Sequence, residues 1–162
     1  MHEHFDLFPA RERAIVDSLS VIWEDSGLPP VTGRILGRLL MAQPSHQSST
    51  QLADYVRASA GAVSTATRML ITIGLIERVR FPGDRASYFR VKPNCWNEIM
   101  NLEVLRYARL RRVAQQGVEL LEEMGETHRA DRVQEFHKFA AFIEDELPLL
   151  LRQWDQRQEP PK

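Results

Sequence analysis

From Ser49 to Val91 the chain carries in unbroken order the patterns of a short helix, a tight turn, a second helix and a two-stranded ribbon. The first helix is predicted over 50–56, the turn at Arg57-Ala58-Ser59, and the second helix over 60–70. The ribbon runs over 76–81 and 86–91, around a tip of Pro82-Gly83-Asp84-Arg85. A short turn between two helices presents the second one to the major groove of DNA, and a basic hairpin beside it can reach the backbone. No other segment points to a chemistry as clearly.

Ser59 suits the N-cap of the second helix, because its hydroxyl can accept from the open amides of the first turn. Val63, Thr67 and Leu70 recur on one face, with Ile73 close behind, and are expected to pack on Leu52 and Val56. Ala60, Gly61, Ser64, Thr65 and Arg68 are left facing outward. Small side chains allow close approach to base edges, Ser and Thr can donate or accept, and Arg68 can reach guanine or phosphate. The plainer alternative is an amphipathic helix with a solvated Ser/Thr face. The preceding helix and the basic ribbon favour DNA reading.

Gly74 fits a left-handed helix end. In the ribbon Arg78, Arg80, Arg90 and Lys92 alternate with Val79, Phe81, Phe89 and Val91. That period is expected to send the apolar set to the core and the cations to water. Arg85 at the tip is the first candidate for a minor groove, which attracts arginine where it narrows, and Arg80 is the second. The alternative is that these arginines only blunt a sheet edge.

Charge follows the same division. The net charge is -1, but residues 45–92 hold seven basic side chains against three acidic ones, whereas residues 1–30 hold two against six. A near-neutral chain with a basic segment is a sound footprint for a polyanion. The single cysteine, Cys95, excludes an internal disulfide framework and a multi-cysteine zinc site, and fits a cytoplasmic protein. The N-terminus has no basic region followed by an apolar run, so no signal peptide is expected. No apolar stretch is long enough to cross a membrane.

Helices are predicted over 11–24 (Ile15, Leu19, Ile22, Trp23 as the apolar face), 32–41 (Ile35, Leu36, Leu39, Leu40), 96–124 and 130–154. Gly27-Leu28-Pro29-Pro30 separates the first two. In the last two, Tyr107, Leu110, Ala114, Gly117, Leu121 and Met124, then Val133, Phe136, Ala140, Ile143, Leu147, Leu150 and Trp154, step by threes and fours like the seam of a packed helix. Pro148 should kink or loosen one turn. Leu102, Leu105, Val113, Leu120, Phe139, Phe142, Leu149 and Leu151 lie off that seam, more apolar surface than a lone helical hairpin can bury. A homodimer is therefore expected. Domain boundaries fall at 1–30 (N-terminal helix, part of the dimer interface), 31–93 (the reader), 94–155 (helical dimerisation region) and 156–162 (flexible tail).

Trp23, Trp96, Tyr107 and Trp154 could line an effector pocket, since aromatic faces suit a quaternary ammonium or a flat phenol. Packing is the commoner use of such residues. Cys95 reads as a structural thiol more than a redox switch, although Lys92 is near in sequence and could lower its pKa. The histidines (His2, His4, His46, His128, His137) show no metal-ligand spacing, and no nucleophile with a base or phosphate loop is evident. Neither a metal, a cofactor nor a catalytic site is expected.

Gly27-Leu28-Pro29-Pro30 before Gly33-Arg34-Ile35-Leu36-Gly37, then Ser59, Gly61, Val63-Ser64, Arg68, Leu70, Gly74-Leu75-Ile76, and Gly83-Asp84-Arg85 with Tyr88-Phe89, together resemble the GbsR-type branch of the MarR-like winged-helix transcriptional regulators. The match spans about 26–91. It implies a mainly α fold (α+β): a winged helix-turn-helix domain with a small β-hairpin wing, plus N- and C-terminal dimerisation helices. It implies a bacterial or archaeal homodimer that binds double-stranded DNA at a near-palindromic operator, usually as a repressor released by a small-molecule effector. It puts the reading residues on 60–68 and the wing on 80–85. A protein-interaction module of winged-helix shape, or a nucleoid-type protein without an effector, is the competing reading.

Overall fold

Helix α1 (Glu3–Asp25) and helix α2 (Pro30–Met41) are joined by a turn the sequence encodes closely. Gly27 takes φ +91°, a conformation that suits a residue without Cβ. The Leu28 N–H returns to the Trp23 carbonyl at 3.0 Å and the Gly27 N–H to the Glu24 carbonyl at 2.8 Å, which closes the helix end. Pro30 then opens α2, where its missing N–H is no loss. The computed structural model describes residues 3–158, with side chains from residue 10 onward. His2, the side chain of His4, and residues 159–162 of the expected tail lie outside the described residues. The chain divides into two units, Met1–Cys95 and Trp96–Lys162.

In the first unit α1 and α2 run antiparallel with unusually close backbones. A Cβ on Gly33 would lie 2.8 Å from Ser20 Oγ and 3.1 Å from Ser20 Cα; one on Gly37 would lie 3.0 Å from Val16 Cγ1. The two glycines, one turn apart, are what lets the helices approach. This shifts the expected face of α1, of which Leu19 and Trp23 are half-buried. Val16 and Ser20 are the buried residues, while Ile15 is 48% and Ile22 61% exposed. Ser20 fits because its hydroxyl proton has two acceptors within reach, Glu24 Oε1 (2.9 Å) and the Pro30 carbonyl (3.2 Å). In α2, Ile35, Leu36 and Leu39 enter the core but Leu40 is 40% exposed.

Helix α3 (Ser49–Val56) starts with a capping box. Ser48 Oγ accepts from the Gln51 N–H at 3.1 Å, and Gln51 Oε1 accepts from the Ser48 N–H at 2.7 Å. Helix α4 (Ala60–Ile73) follows three residues later, ends at Gly74 (φ +90°), and runs slightly past the predicted limit. Leu52 and Val56 of α3 and Val63, Ala66, Thr67 and Leu70 of α4 join Ile35 and Leu36 in one core.

The sheet has three antiparallel strands in the order β1-β3-β2: β1 (Gln47–Ser48), β2 (Ile76–Val79) and β3 (Tyr88–Val91). The two-residue β1 carries no periodic signal and was not foreseen. The register pairs Ile76 with Val91, Arg78 with Phe89, and Val79 with Tyr88. Residues directly opposite share a face. The expected split into one apolar and one cationic face therefore fails. Phe89 is buried on the same face as Arg78, whose guanidinium lies 5.6 Å from its ring centroid. Val79 lies on the other face with Tyr88. There His46, Phe81 and Tyr88 form an aromatic group with centroids 4.6 to 5.4 Å apart.

The second unit is an antiparallel hairpin of helix α5 (Cys95–Glu123) and helix α6 (Thr127–Gln158), turned at Gly125 (φ +72°). Its centre is made of small and medium residues: Ala114, Val118, Leu121, Ala130 and Ala140 are buried, and Gly117 meets Val133. Arg111 pairs with Glu144 at 3.2 Å, and Tyr107 meets Phe139 edge-on. α6 passes through Pro148 as one continuous helix, so the proline removes a hydrogen bond without ending it. It also continues through Gln158, into the segment expected to fray. No helix among the described residues is long and apolar enough to cross a membrane.

Candidate nucleic-acid interface

Helix α4 has two chemically distinct sides. Val63, Ala66, Thr67 and Leu70 are buried, and Thr67 returns its hydroxyl to the Val63 carbonyl at 2.9 Å, so this polar residue enters the core satisfied. Ser59, Ala60, Gly61, Ser64, Thr65 and Arg68 are all exposed. Ser59 caps the helix as expected, its Oγ accepting from the Ala62 N–H at 3.2 Å. Around Gly61 there is open space: a Cβ there would meet only Ser59 Oγ, at 3.9 Å. Arg68 is held along the helix by a 3.3 Å contact with Ser64 Oγ. The face thus offers hydroxyls, small apolar groups and one guanidinium, the kinds of group that read base edges in a major groove.

The wing is built by local bonds. Gly83 takes φ +80° at its tip, and the Asp84 N–H returns to the Phe81 carbonyl at 3.1 Å. Asp84 Oδ1 accepts from the Ala86 N–H at 2.8 Å and Oδ2 from the Tyr88 hydroxyl at 2.7 Å. These bonds, the Ala86 amide first and the Tyr88 hydroxyl second, hold the Asp84 carboxyl below its ordinary pKa. The same bond raises the Tyr88 phenol above its ordinary value.

Ion pairing sorts the cations of the first unit. Arg34 pairs with Asp17 (3.5 Å), Arg38 with Glu12, and Arg90 with Glu77 (2.6 Å). Arg68, Arg80 and Arg85, the three arginines singled out from sequence, have no carboxylate partner among the described residues. Arg38 serves the scaffold. It bridges Glu12 of α1 and Gln47 of β1 (Nη2 to Oε1, 3.3 Å) and lies 4.6 Å from the Tyr55 ring centroid, with Arg13 at 4.6 Å from the same ring. Burial, the largest cause, pushes the Tyr55 phenol above its usual pKa.

Sequence reasoning missed Gln47, His46 and the role of Arg38, all of which position the reader without belonging to a periodic pattern. Of the aromatic residues proposed for an effector pocket, Trp96, Tyr107 and Trp154 line grooves of the second unit that share Met100 and Leu150. Trp96 and Trp154 line one groove of about 410 Å³ with Met100 and Leu150. Tyr107 lines a second groove of about 540 Å³ with Met100, Phe142, Ile143 and Leu150. Trp23 belongs to the other unit. Cys95 is buried. Among the described residues no group of three metal-ligating side chains comes together.

Comparison with known proteins finds transcriptional regulators. Residues 94–157 match the family described as MmpR5-like MarR family transcriptional regulator. Over 142 residues, 88% of this chain and 86% of the relative, the sequence is 34% identical to the HTH-type transcriptional regulator MmpR5 of Mycobacterium tuberculosis. A crystal structure described as a transcriptional regulator superposes with a TM-score of 0.76 at 33% identity, covering 90% of this chain and 99% of the other.

Proposed function

The chain belongs to the MarR family of transcriptional regulators, in its MmpR5-like group, and we propose that it reads a near-palindromic operator as a homodimeric repressor. One observation carries this reading: α4 buries one side and, with its cap Ser59, exposes Ala60, Gly61, Ser64, Thr65 and Arg68 on the other. Arg80 and Arg85 of the wing, neither paired with a carboxylate among the described residues, add phosphate or minor-groove contacts. Phosphate contacts set register and affinity, and the α4 face supplies sequence preference. Within the family, Gly27-Leu28-Pro29-Pro30 followed by Gly33 and Gly37 supports a place near the GbsR-type branch, whereas the matching family model is the MmpR5-like one.

Dimerisation is supported by apolar surface left uncovered in both units. Ile15, Val21 and Ile22 of α1 are exposed, as are Leu102, Leu105, Val113, Phe139, Phe142 and Leu150 of α5 and α6. Surface of that extent is costly in water and typical of a subunit interface. Two α4 helices about one turn of DNA apart, roughly 34 Å, would match the symmetry of a palindrome. A small apolar or aromatic effector entering the grooves beside Trp96 and Tyr107 would release the DNA. A cytoplasmic location goes with a DNA partner.

The test is selection of duplexes from a random-sequence pool by the purified protein, followed by gel shift. Recovery of a two-fold symmetric motif supports the reading. Recovery of no motif, with equal binding to all duplexes, favours a nucleoid-type coat; no binding at all favours a protein-interaction module.

A further inference from the structure

Arg57 occupies an unusual backbone position. It is the C-cap of α3 at φ +53°, ψ +49°, in the left-handed region. Six described residues have positive φ: four are glycines, one is Asn94, and the sixth is Arg57. Glycine and asparagine adopt this conformation readily, while a long side chain incurs a steric penalty there. The fold does not require an arginine at this point, because the cap itself is a backbone bond, from the Arg57 N–H to the Ala53 carbonyl. Nor does the side chain repay the penalty inside the fold. Among the described residues it makes no hydrogen bond and no ion pair, and it is exposed. Arg34, Arg38 and Arg90, by contrast, are all held by carboxylates. Arg57 stands two residues before Ser59, the cap from which the outward face of α4 begins.

We infer that Arg57 is a DNA-backbone contact: its guanidinium binds a phosphate beside the start of α4 and fixes the register in which that helix enters the groove. This rests on the DNA-reading function proposed above. The guanidinium suits a phosphate because its planar fork can donate two parallel bonds to it. A phosphate contact carries no base preference, so its effect is the same on every sequence.

Arg57→Gly separates the backbone from the guanidinium, and Arg57→Asn provides a second variant compatible with positive φ. Each is measured by thermal unfolding and by binding, across a salt series, to two duplexes: one recovered by the wild-type protein from a random pool, one of arbitrary sequence. The expected result is an unfolding temperature at or above wild type, a several-fold loss of affinity for both duplexes by the same factor, and a salt slope shallower by about one. Unchanged affinity and slope would overturn the assignment, as would a loss confined to the selected duplex, which would make Arg57 a base reader. Failure of the wild-type protein to bind either duplex would overturn the DNA-reading function itself, and this inference with it.

Discussion

The Tyr88 hydroxyl donates to Asp84 Oδ2 at 2.7 Å, tying β3 to the tip of the wing that carries Arg85. The Asp84 carboxyl is lower in pKa when folded than when unfolded, and Tyr88 is higher. The Asp84 contribution is therefore complete above the ordinary carboxylate range and is lost as pH falls through the lowered folded value. The Tyr88 contribution is complete below the ordinary tyrosine range and is lost as pH rises through its raised value. Wing order, followed by the amide resonance of Ala86, should hold across the neutral range and fail at both extremes. Tyr88→Phe should loosen the tip and weaken DNA binding without lowering the unfolding temperature much, because the bond is exposed.

Gly33 and Gly117 should respond oppositely to alanine. Both helices would gain about 0.8–1 kcal/mol in propensity. At Gly33 the new methyl meets Ser20 Oγ at 2.8 Å and Ser20 backbone behind it, so α1 and α2 must part. Overpacking of this kind costs about 1–3 kcal/mol, and Gly33→Ala should be destabilising in denaturant titration. At Gly117 the nearest atom is the Val133 Cγ1 at 3.3 Å, a half-buried side chain that can shift. Gly117→Ala should be neutral or stabilising.

Ser59→Ala removes the side-chain acceptor for the Ala62 N–H. Loss of an N-cap costs about 1 kcal/mol. Because the lost turn carries Ala60 and Gly61, affinity for DNA should fall by more than the stability change implies. Gly61→Leu makes the complementary test: the added side chain enters open space, so the fold should survive while binding drops by about tenfold or more. Retained affinity would show that this face does not approach DNA.

Phe142, 60% exposed, and Leu105, 58% exposed, should be covered by a second copy of the chain. Phe142→Asp together with Leu105→Asp should give a folded monomer in analytical ultracentrifugation, with operator affinity greatly reduced. A wild-type monomer at micromolar concentration would remove the dimer from the account.

The helix-turn-helix was legible because its signals are local. Ser59, Gly74 and the spacing of Val63, Thr67 and Leu70 each dictate a piece of backbone without help from distant residues. The face of α1 was not legible, because its burial is set by Gly33 and Gly37 on another helix. The apolar stripe of Ile15 and Ile22 is a true helical pattern, yet both side chains are left exposed. The ribbon was half legible. Its strands were found, but the facing of Arg78 and Phe89 depends on register across the turn, which alternation along one strand does not encode. Strand β1 and Arg38, with its links to Glu12, Gln47 and Tyr55, arise only from tertiary contact.

The outward face of α4 is tested most directly by the affinity of wild type and Arg68→Ala for a pool-selected duplex, its single-base variants and a scrambled control across a salt series. Wild type should prefer the selected duplex by roughly 10³-fold or more, with affinity falling steeply as salt rises. Arg68→Ala should lose about 1–3 kcal/mol of discrimination at one base pair and little elsewhere. Equal wild-type affinity for selected and scrambled duplexes would contradict the account.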